Sequence, residues 1–271
     1  MNAADAGTIT LGGDLTVNRL GFGAMRITGD GIWGEPRDRD EAKRVLRRAV
    51  DLGVSFIDTA DSYGPEVSEQ LIAEELHPYP DDLVIATKGG LIRPGPGDWR
   101  PDCHPERLKL WCEGSLRRLR VDRIDVYQLH TVDPKVPFAE SVGALKELRD
   151  EGKIRHVGLS NVSAEHLSEA QEIVDVVSVQ NRYSASDRNS EDVLEACERE
   201  GLAFIPWFPL GAGKATEPGG PLDQAAKERD ITLAQAALAW LLGRSEAMLP
   251  IPGTSSVEHL EENVAAASLR L

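Results

Sequence analysis

The stretch "GFGAMR", Gly21 to Arg26, decides between two folds. It closes the first apolar run of the chain. An open, doubly wound sheet that binds a dinucleotide wants G-x-G-x-x-G at this point, with the third glycine opening a helix. Gly21 and Gly23 are in place, but Arg26 holds the third position and no helical pattern starts there. The rival is a closed barrel, and the rest of the chain supplies its staves. Short apolar runs begin at Leu20 ("LGFGAM"), Ser55 ("SFIDTA"), Leu83 ("LVIATK") and Ile124 ("IDVYQLH"), then at His156 ("HVGLSN"), Val176 ("VVSVQN"), Ala203 ("AFIPWFP") and Met248 ("MLPIPG"). Most are apolar at nearly every position, so both faces are covered, as in a parallel sheet.

Amphipathic helical patterns separate these runs. "EAKRVLRRAVDLG" puts Ala42, Val45, Leu46 and Ala49 on one face, and Gly53 stops it. "PERLKLWCEGSLRRLR" starts on Pro105, and "PFAESVGALKELRDEGK" aligns Phe138, Val142, Leu145 and Leu148. "EDVLEACEREG", "TLAQAALAWLLGR" and "SVEHLEENVAAA" complete the series. Eight strand-helix repeats in 271 residues predict an α/β fold, a (β/α)8 TIM barrel, in one domain spanning 1–271. The opening "TITLGGDLTVNRLG" predicts a β-hairpin around Gly12, Gly13 and Asp14, placed to plug the barrel floor. Two insertions, "RITGDGIWGEPRDRD" and "GGLIRPGPGDWRPDCHP", follow strands and so belong to the catalytic face.

A net charge of −15 argues against nucleic acid or an anionic membrane as partner, leaving a small molecule. The apolar fraction of 41% supplies a core, and no run reaches the ~18 residues of a membrane span. Three cysteines without metal-type spacing fit a reducing cytoplasm, and no targeting segment stands at the start.

In a barrel, polar residues at the C-terminal strand ends share one mouth. Here they are Asp58, with Tyr63 in the loop beyond it, then Lys88, His130, Ser160, Asn161, Gln180, Asn181 and Trp207. Each has a structural reading: Asp58 as a helix cap, His130 as a satisfied core histidine, Lys88 as a snorkelling cation, Trp207 as core. Their joint occurrence on one rim favours chemistry. A tyrosine hydroxyl has a reference pKa of ~10. An adjacent lysine lowers it by favouring the phenolate, and an aspartate keeps that lysine charged. A histidine orients a carbonyl oxygen, so the set forms a general acid over a developing alkoxide. No side chain supplies a hydride; a cofactor must.

With these residues in view, the chain resembles the aldo-keto reductase superfamily. The motifs are "FIDTADSYG", "VIATKGG", "SLRRLRVDRIDVYQLH", "GKIRHVGLSN", "VQNRYS", "PWFPLGAG" and "LPIPGTSSVEHLEENV". They cover Leu20 to Val264 in the family's order. The resemblance implies a (β/α)8 barrel, monomeric or weakly oligomeric, that reduces a small-molecule carbonyl with NADP(H) and no metal. It makes Tyr63 the general acid, Asp58 and Lys88 its tuning pair, and His130 the substrate-orienting group. Ser160, Asn161 and Gln180 fall on the residues that hold the nicotinamide carboxamide, and Trp207 on the stacking aromatic. Leu210, Gly211, Gly213 and Lys214 fall on the loop over the pyrophosphate, and Glu262 and Asn263 on adenine contacts. Trp33, Trp99 and Phe208 are expected to line an apolar substrate pocket.

The chain departs from the family at the 2′-phosphate. Gly253 and His259 stand where many members carry lysine and arginine, leaving Thr254, Ser255, Ser256 and a helix N-terminus to hold the anion. NADPH stays the expected cofactor with a reduced margin, and NAD(H) is the alternative. The glycine-rich first loop resembles that of bacterial members that include pyridoxal reductases, which makes pyridoxal a candidate substrate. Two rival readings remain: a cofactor-binding regulatory module on the same fold, like the potassium-channel β subunits, and an isomerase or sugar-processing barrel using Asp58 and Asp61.

Overall fold

The computed structural model describes residues 1–209 and 222–271. A hairpin of β1 (Thr8–Leu11) and β2 (Leu15–Asn18) comes first. The barrel staves β3 (Phe22–Gly23), β4 (Phe56–Asp58) and β5 (Val84–Gly89) follow. The insertion after Lys88 then raises a separate hairpin, β6 (Leu91–Gly95) and β7 (Asp98–Pro101). The remaining staves are β8 (Ile124–Leu129), β9 (Ile154–Ser160), β10 (Val176–Arg182) and β11 (Ala203–Trp207). The staves form one parallel sheet in the order β11, β10, β9, β8, β5, β4, β3.

The run at Met248 does not form the regular eighth strand expected from its apolar character. Pro250 and Pro252 carry no N–H, so the segment cannot complete a ladder on both sides. It still closes the ring. On one side Phe204 N–H donates to Ala247 O (2.8 Å) and Leu249 N–H to Phe204 O (2.9 Å); on the other Gly21 N–H donates to Pro250 O (2.9 Å) and Gly23 N–H to Pro252 O (3.5 Å). The first stave is likewise shorter than "LGFGAM", because the chain turns into a 3-10 helix at Ala24.

Nine α-helices are found among the described residues: α1 (Arg39–Asp51), α2 (Val67–Leu76), α3 (Pro105–Leu119), α4 (Phe138–Asp150), α5 (Ala164–Gln171), α6 (Glu191–Glu200), α7 (Asp223–Arg229), α8 (Leu233–Arg244) and α9 (Val257–Ala265). Asp38 caps α1 by accepting from Glu41 N–H at 2.8 Å, and Gly53 takes the left-handed backbone that ends the turn after it. α1 buries Ala42, Val45, Leu46 and Ala49, the face expected from the sequence pattern. Pro105 opens α3, and Arg120 in left-handed geometry closes it.

Two apolar layers result. One lies between sheet and helices and holds Ile57, Tyr127, Val157 and Phe204 with the inner faces of the helices. The other fills the barrel: Phe56, Val84, Val126, Val177, Ile205 and Leu249 point inward and meet Leu11, Leu15 and Val17 of the hairpin. The hairpin therefore plugs the floor, as its sequence suggested. Asp14 at its tip is held by His156 (2.6 Å) and Arg155 (2.8 Å). With the floor sealed, the open end is the one to which the strand ends deliver their polar residues.

Candidate active site

Strand register brings the polar ends together. Asp58 pairs with Ala86 of β5, and Lys88 pairs with Gln128 of β8. The side chains of Asp58, Lys88 and Gln128 are buried, with Lys88 at 0% exposure. Lys88 Nζ spends its hydrogens on Asp58 Oδ2 (2.7 Å), Thr59 O (2.8 Å) and the Tyr63 hydroxyl (3.2 Å). Burial works against the charge on Lys88, but Asp58 and Tyr63 outweigh it, and its pKa ends above the ordinary value. Lys88 therefore stays an ammonium ion.

Tyr63 departs from the simplest expectation. Burial raises its pKa, Lys88 pulls it down, and the net result is a phenol above its ordinary value. The lysine limits the rise instead of producing a fall, because a phenolate in a dry site lacks water to solvate it. The side chain is a phenol at neutral pH, the form that donates a proton. His130 sits beside it, its ring 5.9 Å away edge to face, with Ser62 Oγ 3.4 Å from Nδ1. Burial and the Lys88 charge hold the His130 pKa well below normal, so the ring is neutral.

The other oxygen of Asp58 reveals a residue that strand reading passed over. Oδ1 accepts from Gln180 Nε2 at 2.7 Å and from Gln128 Nε2 at 3.0 Å. Gln128 lies two residues before His130, so strand alternation sends both side chains inward. Gly158 makes the room: a Cβ there would stand 2.8 Å from Gln128 Cγ.

These groups open on one cavity of about 560 Å³. Its walls include Asp58, Tyr63, His130, Ser160, Asn161, Gln180, Trp99, Trp207, Phe208 and Gly253. Sequence reading missed Met25, Ile32, Leu91, Ile251 and Pro252, which share the wall, because nothing in a lone apolar residue marks it as a pocket surface. Trp33 is displaced from the lining; it packs on Arg93, and its neighbour Ile32 faces the cavity instead. Asn161 takes left-handed backbone and uses both ends of its amide within the protein. It donates to His130 O at 2.9 Å and accepts from the Trp207 indole N–H at 3.0 Å. Gln180 spends its nitrogen on Asp58, and among the described residues its oxygen has no protein partner.

The residues expected at the far end of a cofactor are gathered around α9. Thr254 is buried and accepts from Ser256 N–H at 3.1 Å; Ser255 and His259 are exposed. One helix N–H expected to meet an anion is already engaged. Val257 N–H donates to Glu41 Oε1 at 3.1 Å, and this bond, with help from Arg44, holds the Glu41 carboxyl below its usual range. Glu262 accepts from Thr232 Oγ1 at 2.5 Å, and Asn263 is buried beside it in α9. Leu210, Gly211, Gly213 and Lys214 lie outside the described residues.

Residues 19–271 match the aldo/keto reductase family. The chain belongs to that family. Among its relatives, an uncharacterised oxidoreductase of Schizosaccharomyces pombe is 52% identical over 271 residues, covering 100% of this chain and 88% of that protein. Pyridoxine 4-dehydrogenase of Escherichia coli is 44% identical over 97% of this chain and 94% of its own length. Among solved structures, the glycerol dehydrogenase of Gluconobacter oxydans superposes with a TM-score of 0.86 at 26% identity, covering 98% of this chain and 91% of that one. An aldo/keto reductase of Klebsiella pneumoniae in complex with NADP and acetate gives 0.82 at 29% identity, covering 97% and 90%. As an aldo/keto reductase, the chain is an oxidoreductase on a (β/α)8 barrel.

Proposed function

We propose that this aldo/keto reductase uses residues 1–271 as one catalytic unit to reduce an aldehyde or ketone to the alcohol, with NADPH as reductant and Tyr63 as general acid. The observation that carries the reading is the placement of one ammonium ion, Lys88 Nζ, within 2.7 Å of Asp58 and 3.2 Å of the Tyr63 hydroxyl on the cavity wall. The residues present fit a nicotinamide. Trp207 offers a flat wall, Gln180 a buried amide with an unpartnered oxygen, and Ser160 a hydroxyl, around a cavity large enough for the ring and a small carbonyl compound. NADPH supplies the hydride when bound.

The remaining steps belong to the protein. Neutral His130 and the Tyr63 hydroxyl face the same space and can both hydrogen-bond a carbonyl oxygen. Tyr63 gives its proton to the oxygen as charge develops there. The phenolate left behind is met by the Lys88 ammonium, which Asp58 and the carbonyl of Thr59 keep in place. In the reverse direction the phenolate takes the proton from the alcohol.

Pyridoxal is the substrate candidate best supported, by the likeness to pyridoxine 4-dehydrogenase and by the aromatic walls Trp99, Trp207 and Phe208. The free, buried thiols of Cys103, Cys112 and Cys197 support work in a reducing cytoplasm. The test is to follow NADPH absorbance on adding pyridoxal or 4-nitrobenzaldehyde and to assay the alcohol. One alcohol should form per NADPH consumed. Tight NADPH binding without turnover of any carbonyl would instead support the regulatory-module reading.

A further inference from the structure

Arg93 stands on the β6–β7 hairpin, outside the catalytic cluster. It is buried, at 8% exposure, yet no carboxylate among the described residues pairs with it; Asp98 on the same hairpin is engaged by Arg100 at 2.6 Å. Its guanidinium carbon lies 3.7 Å from the centre of the Trp99 ring and 5.5 Å from that of Trp33. Its nitrogens donate to three carbonyls on two other loops: Ile32 O at 2.9 Å, Gly31 O at 3.2 Å and Ser62 O at 3.4 Å. Nε is buried and unpartnered. Burial lowers the Arg93 pKa, although Asp98 favours its charge through space without bonding it. A buried cation bonded only by π faces and carbonyls is costly, and its planar fork suits several acceptors at once.

What this arrangement fixes is the substrate end of the cleft. Trp99 stands edge to face against Tyr63 at 6.4 Å and His130 at 6.5 Å, and with Ile32 and Leu91 it makes one wall of the cavity. Ser62, whose carbonyl Arg93 holds, precedes Tyr63. Ile32 follows Gly31, whose carbonyl it also holds. Arg93 therefore joins the first loop, the catalytic loop and the hairpin.

We infer that Arg93 is a positioning residue that sets this wall for a flat, ring-bearing aldehyde by holding Trp99 and Ile32 at a fixed spacing from Tyr63. The inference rests on the carbonyl-reductase reading of the cleft. Arg93 acts through Trp99 and the loops, not by touching substrate, and it favours rings because a rigid indole wall gains stacking area only with a planar partner.

The test compares wild type, Arg93→Met and Arg93→Lys, each checked for folding by circular dichroism. The ratio of kcat/KM for 4-nitrobenzaldehyde to that for propanal should fall roughly tenfold in Arg93→Met, the scale expected when a desolvated cation–π pair is removed. The change should lie in KM. In a Trp99→Ala background the same substitution should move the ratio no further. If Arg93→Met does not fold, Arg93→Lys is read by the same ratio, since it keeps the charge but lacks the fork. Hydrogen exchange of the ligand-free protein gives a second readout: backbone amides in 31–34 and 91–101 should exchange faster together. An unchanged ratio in a folded variant, or exchange as slow as in wild type, overturns the inference. If wild type reduces neither these two carbonyls nor pyridoxal, the proposed function falls, and hydrogen exchange alone decides the clamp.

Discussion

The ammonium of Lys88 stands 3.2 Å from the hydroxyl of Tyr63, and the phenol still titrates above its ordinary value. Burial raises it and the cation only limits the rise. Removing the cation should therefore push the phenol higher. In Lys88→Met, alcohol oxidation, which needs the phenolate, should rise with pH later than in wild type. The acid limb of its pH–rate profile moves upward, and Tyr63→Phe should lower carbonyl reduction roughly 10²–10⁴-fold with NADPH affinity retained. A Lys88→Met profile that superposes on wild type would leave the lysine a structural role.

Gln128 holds the far oxygen of Asp58 and should matter to rate without touching substrate. Gln128→Leu keeps the volume and removes the donor. Hydrogen bonds to a charged group are worth about 1.5–3 kcal/mol, so kcat should drop by roughly tenfold or more, with little change in KM. Gly158→Ala crowds the same side chain and should lower kcat in the same direction. The two changes combined should cost less than the product of their separate effects. Full activity in Gln128→Leu would show that Gln180 alone suffices to hold Asp58.

Asp61 is buried with Oδ1 unpartnered, and burial together with the nearby Glu69 raises its pKa well above the ordinary value. The folded protein thus binds a proton that the unfolded chain releases near pH ~4. Such a group contributes most stability below that pH and loses it as pH rises toward the folded pKa. Asp61→Asn removes that dependence. Its melting temperature should exceed wild type at pH 7, by about 2–4 °C for each kcal/mol gained, and the difference should shrink at pH 4. Calorimetry at the two pH values decides; an equal or lower melting temperature at pH 7 would mean that the carboxylate is ionised and solvated.

The Glu41 carboxylate accepts from Val257 N–H at the start of α9, where the sequence leads us to expect the 2′-phosphate. A second anion at that helix end would meet a negative charge already in place. Glu41→Gln should tighten NADPH more than NADH, and His259→Arg should do the same by adding a permanent cation beside the exposed turn. Quenching of tryptophan fluorescence by each cofactor measures both affinities. Equal gains for NADPH and NADH would show that the 2′-phosphate lies elsewhere.

The charged strand ends of the candidate site are legible in the sequence because an apolar run that stops on a charged residue is conspicuous, as in "FIDTAD" and "VIATKG". Gln128 is not, since a polar residue inside "IDVYQLH" reads as one interruption of a buried strand. α2 is hidden in the sequence for a related reason. Its buried face mixes Val67, Leu71, Ile72 and Ala73 with Ser68 and Glu69, which Thr59 (2.7 Å), Thr87 (2.6 Å) and Arg118 (2.6 Å) satisfy, so its apolar stripe is broken by polar residues. The eighth run is apolar enough for a strand, but its prolines decide its hydrogen bonding. Arg93 lay in a glycine- and proline-rich insertion with no periodicity, and only the three-dimensional approach of Trp33 and Trp99 gives it a place.

The ring of staves is closed by residues 247–252, which join the edge of β11 to the edge of β3. During synthesis, therefore, the parallel staves stay an open sheet with two unsatisfied edges until that segment has emerged. Arg19 waits with them. Its buried guanidinium donates to the carbonyls of Leu242, Ser245 and Met248 and to Glu246, partners that lie 223 to 229 residues downstream. A cation made so early and satisfied so late ties the closure of the barrel to the synthesis of its last stave. Until then the bare edges of the sheet are open to pairing with other chains.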